Sequence, residues 1–129
     1  MMTELKRILH VDDDTDIRDI AMLSLQNVGS FEVLQCASGQ EALDKAADFD
    51  PQLFLFDVMM PGMSGDELWA AFRKVPALSD VPVIFMTAKV ERHYVAELME
   101  NGALAVLEKP FDPITLADEI SRIWNDRAR

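Results

Sequence analysis

Cysteine is nearly missing from this sequence: Cys36 is the only one in 129 residues. A lone thiol excludes a disulfide framework, and within an apolar stretch it serves as a small buried hydrophobe. Basic residues are scarce too, 12 Lys and Arg against 23 Asp and Glu, which leaves a formal net charge of −11. Such a surface repels nucleic acid and anionic lipid, so direct binding to either is not expected. No apolar run approaches the length of a membrane span, and the start, "MMTELKR", lacks the apolar segment of a signal peptide. What remains is a globular balance, 50% hydrophobic and 27% charged, with no linker, repeat or low-complexity segment. The length suits one domain and is too short for two ordinary ones. A single cytoplasmic domain over residues 1–129 is expected.

Apolar runs of strand length alternate with longer segments at helical spacing. Strands are expected at "RILHV" from Arg7, "FEVLQCA" from Phe31, "QLFLF" ending at Phe56, "VPVIFMT" from Val81 and, more weakly, "LAVLE" from Leu104. Ile17, Ile20, Ala21, Ser24 and Val28 mark the face of a first helix, closed by Gly29. Ser38 with Glu41, and Ser64 with Glu67, read as capping boxes that open the second and third helices. The third continues through Leu68, Ala71, Phe72 and Val75. Val95, Leu98 and Met99 mark the fourth, and Asp112-Pro113 reads as an N-cap with proline at the first position of the fifth. The second to fourth strands are nearly continuous apolar runs, as when helices cover both faces of a parallel sheet. Five such units predict an α/β, flavodoxin-like, doubly wound sheet of five parallel strands in order 2-1-3-4-5 with five helices.

In such a sheet ligands bind beyond the carboxyl ends of the strands, where the strand order reverses. Strand one ends in Asp12, Asp13 and Asp14, strand three in Asp57, strand four in Thr87-Ala88 and strand five in Lys109-Pro110. Carboxylates, a hydroxyl and an ammonium therefore converge on one edge from four parts of the chain. Close carboxylates repel by roughly 4 kcal/mol per pair at an effective dielectric near 20. A hard divalent cation removes that cost, and an all-oxygen set with room for water suits Mg²⁺, with Mn²⁺ as a substitute. Lys109 and Thr87 are suited to phosphoryl oxygens, which makes Asp57 a candidate nucleophile that becomes an aspartyl phosphate.

These residues, "VDDD", "FDVMMPGMSG", "MTA" and "KPF", resemble the response-regulator receiver domain, and the resemblance runs over essentially the whole chain. It implies that Asp12, Asp13, Asp57 and the backbone carbonyl of Met59 bind Mg²⁺. It further implies a phosphoryl donor that is a histidine kinase or phosphotransfer protein, and a cis Lys109-Pro110 peptide. Some positions depart from the family pattern. Val106 stands where most receivers carry an aromatic switch residue, and Leu104 and Ala105 replace an acid pair used in one type of dimer. Met59 and Lys89 occupy positions that tune dephosphorylation in that family.

Rival readings of the same residues fail on spacing. As a Ca²⁺ loop, the acidic run would need glycine at Ile17 and glutamate at Leu23. A haloacid-type phosphohydrolase would place its nucleophile after strand one, in a frame that here ends in Asp16. A flavodoxin proper needs a Ser/Thr-rich phosphate loop where three aspartates stand. His10 is expected in the core, His93 in solvent, and Met59, Met60 and Met63 either against a partner or packed. The expected function is a phosphorylation-controlled switch, not an enzyme acting on other substrates, with output through an unidentified downstream protein. The contact face would be helix four, strand five and helix five, with Leu104 and Trp124. The alternative is a degenerate receiver that acts as a constitutive interaction module. The oligomeric state, like the identity of the kinase, is not legible in the sequence.

Overall fold

The structure, a computed structural model, describes residues 4–88 and 92–127. Five strands, β1 (Arg7–Val11), β2 (Glu32–Cys36), β3 (Leu53–Asp57), β4 (Val83–Thr87) and β5 (Ala105–Glu108), form one parallel sheet in the order β2-β1-β3-β4-β5. The helices are α1 (Thr15–Met22), α2 (Gly39–Phe49), α3 (Gly65–Phe72), α4 (Arg92–Glu100) and α5 (Leu116–Asp126). The expected topology holds, and the strand order reverses between β1 and β3, at the carboxyl end where Asp12 and Asp57 stand.

Alternation along the strands divides the core into two layers. Leu9, Val11, Phe54, Phe56 and Phe85 pack under α2, α3 and α4 with Leu68, Trp69, Phe72 and Leu98. Phe54 stacks on Phe72 at 4.7 Å between ring centroids. Ile8, Leu53, Leu55, Ile84 and Met86 pack under α1 and α5 with Ala21, Leu25, Leu116, Ile120 and Trp124. β3 and β4 are buried along their whole length. β2 is only half-buried, because it is an edge strand with a neighbour on one side.

Several element boundaries differ from expectation, each for a local reason. α1 passes into a wider π-helical stretch, Leu23–Val28, in which the Gly29 N–H donates to the Ser24 carbonyl at 3.0 Å. The wider turn shifts the helical phase. Leu25 therefore faces the core, and Val28, expected on that face, is 56% exposed. Pro82 lies one residue before β4 rather than inside it, its carbonyl accepting the Phe54 N–H. Trp69, absent from the expected α3 face, is buried, whereas Val75 lies past the helix end and packs against the core from there. Asp112 opens a turn instead of α5 itself: its carboxylate accepts from the Ile114 N–H, its carbonyl from Thr115 and Leu116, and the helix begins at Leu116.

Of the two capping boxes, the one at Ser64 is complete. At Ser38 only half forms: Ser38 accepts from the Glu41 N–H, but the Glu41 carboxylate accepts from the Ala37 N–H one residue earlier. Cys36 is buried, and burial raises its thiol pKa to about 11.

Candidate functional site

β3 is apolar up to Asp57, fully buried and in the middle of the sheet, so it carries Asp57 to the sheet edge on a rigid support. The side chain arrives almost fully covered, at 4% exposure. The chain then turns sharply. Gly62, after Pro61, has φ +82°, a conformation that glycine adopts without strain. At Gly65 the backbone passes so close that a Cβ would collide with the Asp57 carbonyl oxygen, and the Gly65 N–H donates to the Val58 carbonyl at 2.9 Å. The first turn of α3, held by the Ser64 cap, is thus packed directly on the backbone of Asp57.

The acid cluster forms as the spacing predicts. One carboxylate oxygen from each of Asp12, Asp13 and Asp57 lies within 4.8 Å of the others, with Asp13 exposed and the other two buried. Three converging oxygens, one of them facing solvent, fit a hard divalent cation that keeps part of its water. Lys109 Nζ lies 2.6 Å from Asp12 Oδ2 and 3.1 Å from Asp57 Oδ1, with the side chain 12% exposed. Thr87 ends β4 beside them, buried, and its carbonyl accepts the Lys109 N–H at 2.9 Å. The Lys109-Pro110 peptide is cis.

Charge is unevenly distributed over this cluster. Burial, and then the charge of Asp12, push the Asp57 carboxyl up to about 6, although Lys109 and the Met59 N–H pull the other way. Burial by itself would lower the Lys109 pKa, but its bond to Asp12 and the two neighbouring charges leave it raised. The two shifts are consistent because the ammonium sits nearer Asp12 than Asp57. Lys109 thus compensates Asp57 only in part.

The remaining expected residues fall as follows. Ala88 is exposed beyond β4, Val106 is half-buried against the α3–α4 core layer, and Lys89 lies outside the described residues. Met59 is 64% exposed beside the site, while Met60 is buried and Met63 packs on Gly39 at the start of α2. His93 is exposed and His10 is fully buried. Burial, then the nearby Lys109 and Arg18, lower His10 to about 3, so its ring is neutral. Trp124 corrects an expectation: at 4% exposure it belongs to the core, with Arg127 stacked 3.5 Å from its ring centroid. Among the described residues, the exposed large apolar side chains nearby are Met99 on α4 and Ile114, 75% exposed, before α5.

Two residues near the site escaped the sequence reading. Tyr94, in the first turn of α4, is hydrogen-bonded to Asp66 in the first turn of α3, and burial with that acid raises its hydroxyl pKa to about 12. Arg18 donates from Nη1 to the Asp12 carbonyl at 2.7 Å. Its signal was present, as the one basic residue between Asp12 and Asp19, five of whose eight residues are aspartate.

The model of the response regulator receiver domain matches residues 8–121, and the chain belongs to that family. It is similar to the phosphate regulon transcriptional regulatory protein PhoB of Pseudomonas aeruginosa, 35% identical over 92% of this chain and 51% of that protein. It is equally similar to the sporulation initiation phosphotransferase F of Bacillus subtilis, 35% identical over 95% of this chain and 94% of that one. The chain spans about half the length of the first curated relatives it matches, PhoB and the DNA-binding response regulator MtrA of several mycobacteria. Among solved structures, the chemotaxis protein CheY4 of Vibrio cholerae superposes with a TM-score of 0.84 at 34% identity, covering 92% of this chain and 98% of that one. No described helix is long and apolar enough to cross a membrane.

Proposed function

We propose that residues 1–129 act as one receiver domain and cytoplasmic phosphorylation switch, with Asp57 as the phosphoacceptor. The observation that carries this reading is the junction of a buried, under-compensated carboxylate with two further acids and a lysine at the strand-order reversal. The donor is a phosphohistidine of a sensor kinase or phosphotransfer protein. A carboxylate oxygen of Asp57 forms a bond to phosphorus as the phosphorus–nitrogen bond breaks, and that electron pair returns to the donor imidazole. Asp12, Asp13, Asp57 and the Met59 carbonyl would hold Mg²⁺, or Mn²⁺ in its place. When bound, the metal supplies charge neutralisation on the transferring group. Lys109, already between Asp12 and Asp57, is placed to pair with a phosphoryl oxygen, and Thr87 offers a hydroxyl to another.

Output runs through contact with a downstream protein or by onward relay of the phosphoryl group. The Asp66–Tyr94 bond joins α4 to the helix that rests on Asp57, which supports α4 as part of that output. Incubation with acetyl phosphate and Mg²⁺ should add one phosphate to the wild type and none to Asp57→Asn, as read by intact mass. Stoichiometric labelling of Asp57→Asn would overturn the assignment. An unlabelled wild type would favour the constitutive interaction module instead.

A further inference from the structure

Beneath the acid cluster, on the α1 side of the sheet, lies a polar chain, buried at His10 and half-buried at Gln35 and Arg18, that packing alone does not require. His10 is two residues before Asp12 on β1 and pairs in register with Gln35 on β2. Gln35 Nε2 is 3.1 Å from His10 Nδ1 and donates to the Arg18 carbonyl at 2.7 Å. One amide nitrogen thus spends both its hydrogens, so the neutral ring accepts at Nδ1 and carries its proton on Nε2. That Nε2 is buried with no hydrogen-bond partner among the described residues. An aliphatic residue would fill the same space without an unmet donor, so His10 is a poor choice for stability.

Arg18 continues the chain into the site. Its guanidinium donates to the Asp12 carbonyl at 2.7 Å and to Thr15 Oγ1 at 3.3 Å. The carboxylate of Asp12 accepts the Asp14 N–H at 2.9 Å, and the carboxylate of Asp14 caps α1. The acid loop is therefore fixed at one end by β1 and at the other by α1. At this point the Gln35 amide ties α1 to β2.

We propose that His10 and Gln35 are positioning residues of the acid site: they hold the second turn of α1 against β2, where Arg18 can grip the Asp12 carbonyl and fix the loop that presents Asp12 and Asp13. The chain runs His10 to Gln35 to Arg18 to Asp12, and none of the first three touches the reacting atoms. This rests on the reading of Asp12, Asp13 and Asp57 as a metal site. Neighbours that orient metal ligands commonly change affinity by ten- to a hundredfold.

The test compares metal affinity with stability, because a merely structural network would move them differently. Mg²⁺ and Mn²⁺ affinities are measured by titration calorimetry, and thermal unfolding in EDTA is measured in parallel. The double variant His10→Leu/Gln35→Leu removes both partners together. It should melt in EDTA at or above the wild-type temperature and bind metal about tenfold more weakly. His10→Asn keeps an acceptor at the place of Nδ1 and should recover most of that loss. Arg18→Lys, at a half-buried position, keeps the charge but loses the rigid fork, and should weaken metal binding about tenfold with unfolding little changed. That variant keeps the test decisive should the double variant fail to fold. Wild-type affinity in Arg18→Lys, or in a folded double variant, overturns the positioning role alone. A wild type that binds neither metal overturns the site reading and this inference together.

Discussion

Asp57 holds its charge against its surroundings, and stability should show it. The carboxyl titrates near 6 in the folded, metal-free protein, above its ordinary 3.8. The fold therefore binds that proton more tightly than the unfolded chain does. The contribution is favourable below about pH 4 and is lost as pH rises through about 6, on the order of 2 kcal/mol. Asp57→Asn removes the titration and one member of the repelling group. Urea unfolding in EDTA should find the variant more stable than wild type at pH 7.5, with the gap closing towards pH 4. A gap independent of pH would mean that Asp57 is not the group under strain. A proton at Asp57 also competes with metal, so Mg²⁺ affinity should fall as pH drops below about 6.

At the scale of elements, α3 is the piece most closely tied to the site. Alanine is normally preferred over glycine within a helix by about 1 kcal/mol. Gly65→Ala should reverse that sign, because the new Cβ meets the Asp57 carbonyl oxygen. The expected result is a lower melting temperature in EDTA and slower labelling by acetyl phosphate. Ser64→Ala should cost about 1 kcal/mol through its cap while leaving labelling nearly unchanged. If both variants label alike, the packing of α3 on Asp57 does not matter to the chemistry.

The β3 run, both serine caps and the residues closing each strand were legible in the sequence, because each depends on local pattern or on which strand a residue ends. The π-helical stretch was not, since a helical face and a shifted one share the same spacing up to Ser24. Trp124 was misread because α5 shows which of its residues are apolar but not which way the helix is turned. Tyr94 and Gln35 were invisible for another reason: their partners, Asp66 and Arg18, are brought to them by tertiary packing.

For the molecule as a whole, charge sets what the surface can meet. With a net charge of −11, this chain alone should not bind duplex DNA at physiological salt. Sub-micromolar, sequence-specific binding in a fluorescence anisotropy titration would refute that. Metal should act on global stability by mass action, raising it by RT ln(1 + [Mg²⁺]/Kd), about 2.7 kcal/mol at a hundredfold excess over Kd. Asp13→Asn and Asp57→Asn should melt higher than wild type in EDTA and gain less from millimolar Mg²⁺. If both instead melt lower in EDTA and all three proteins rise equally with metal, the acids do not share a site.

The ion pair between Lys109 and Asp12 also bears on the order in which the chain assembles. Its partners are 97 residues apart in sequence, one following β5 and the other β1. They cannot meet until β3 and β4 have docked between those strands. The contact is therefore expected to form late in folding, after the central strands have paired. Removing the ammonium leaves two buried acids facing each other, and that cost should fall on the completed fold alone. In EDTA, Lys109→Met should unfold faster than wild type, with refolding at the wild-type rate in stopped-flow urea jumps. A matching slowdown of refolding would place the pair in the nucleus, and the sheet would then close from its edge inward.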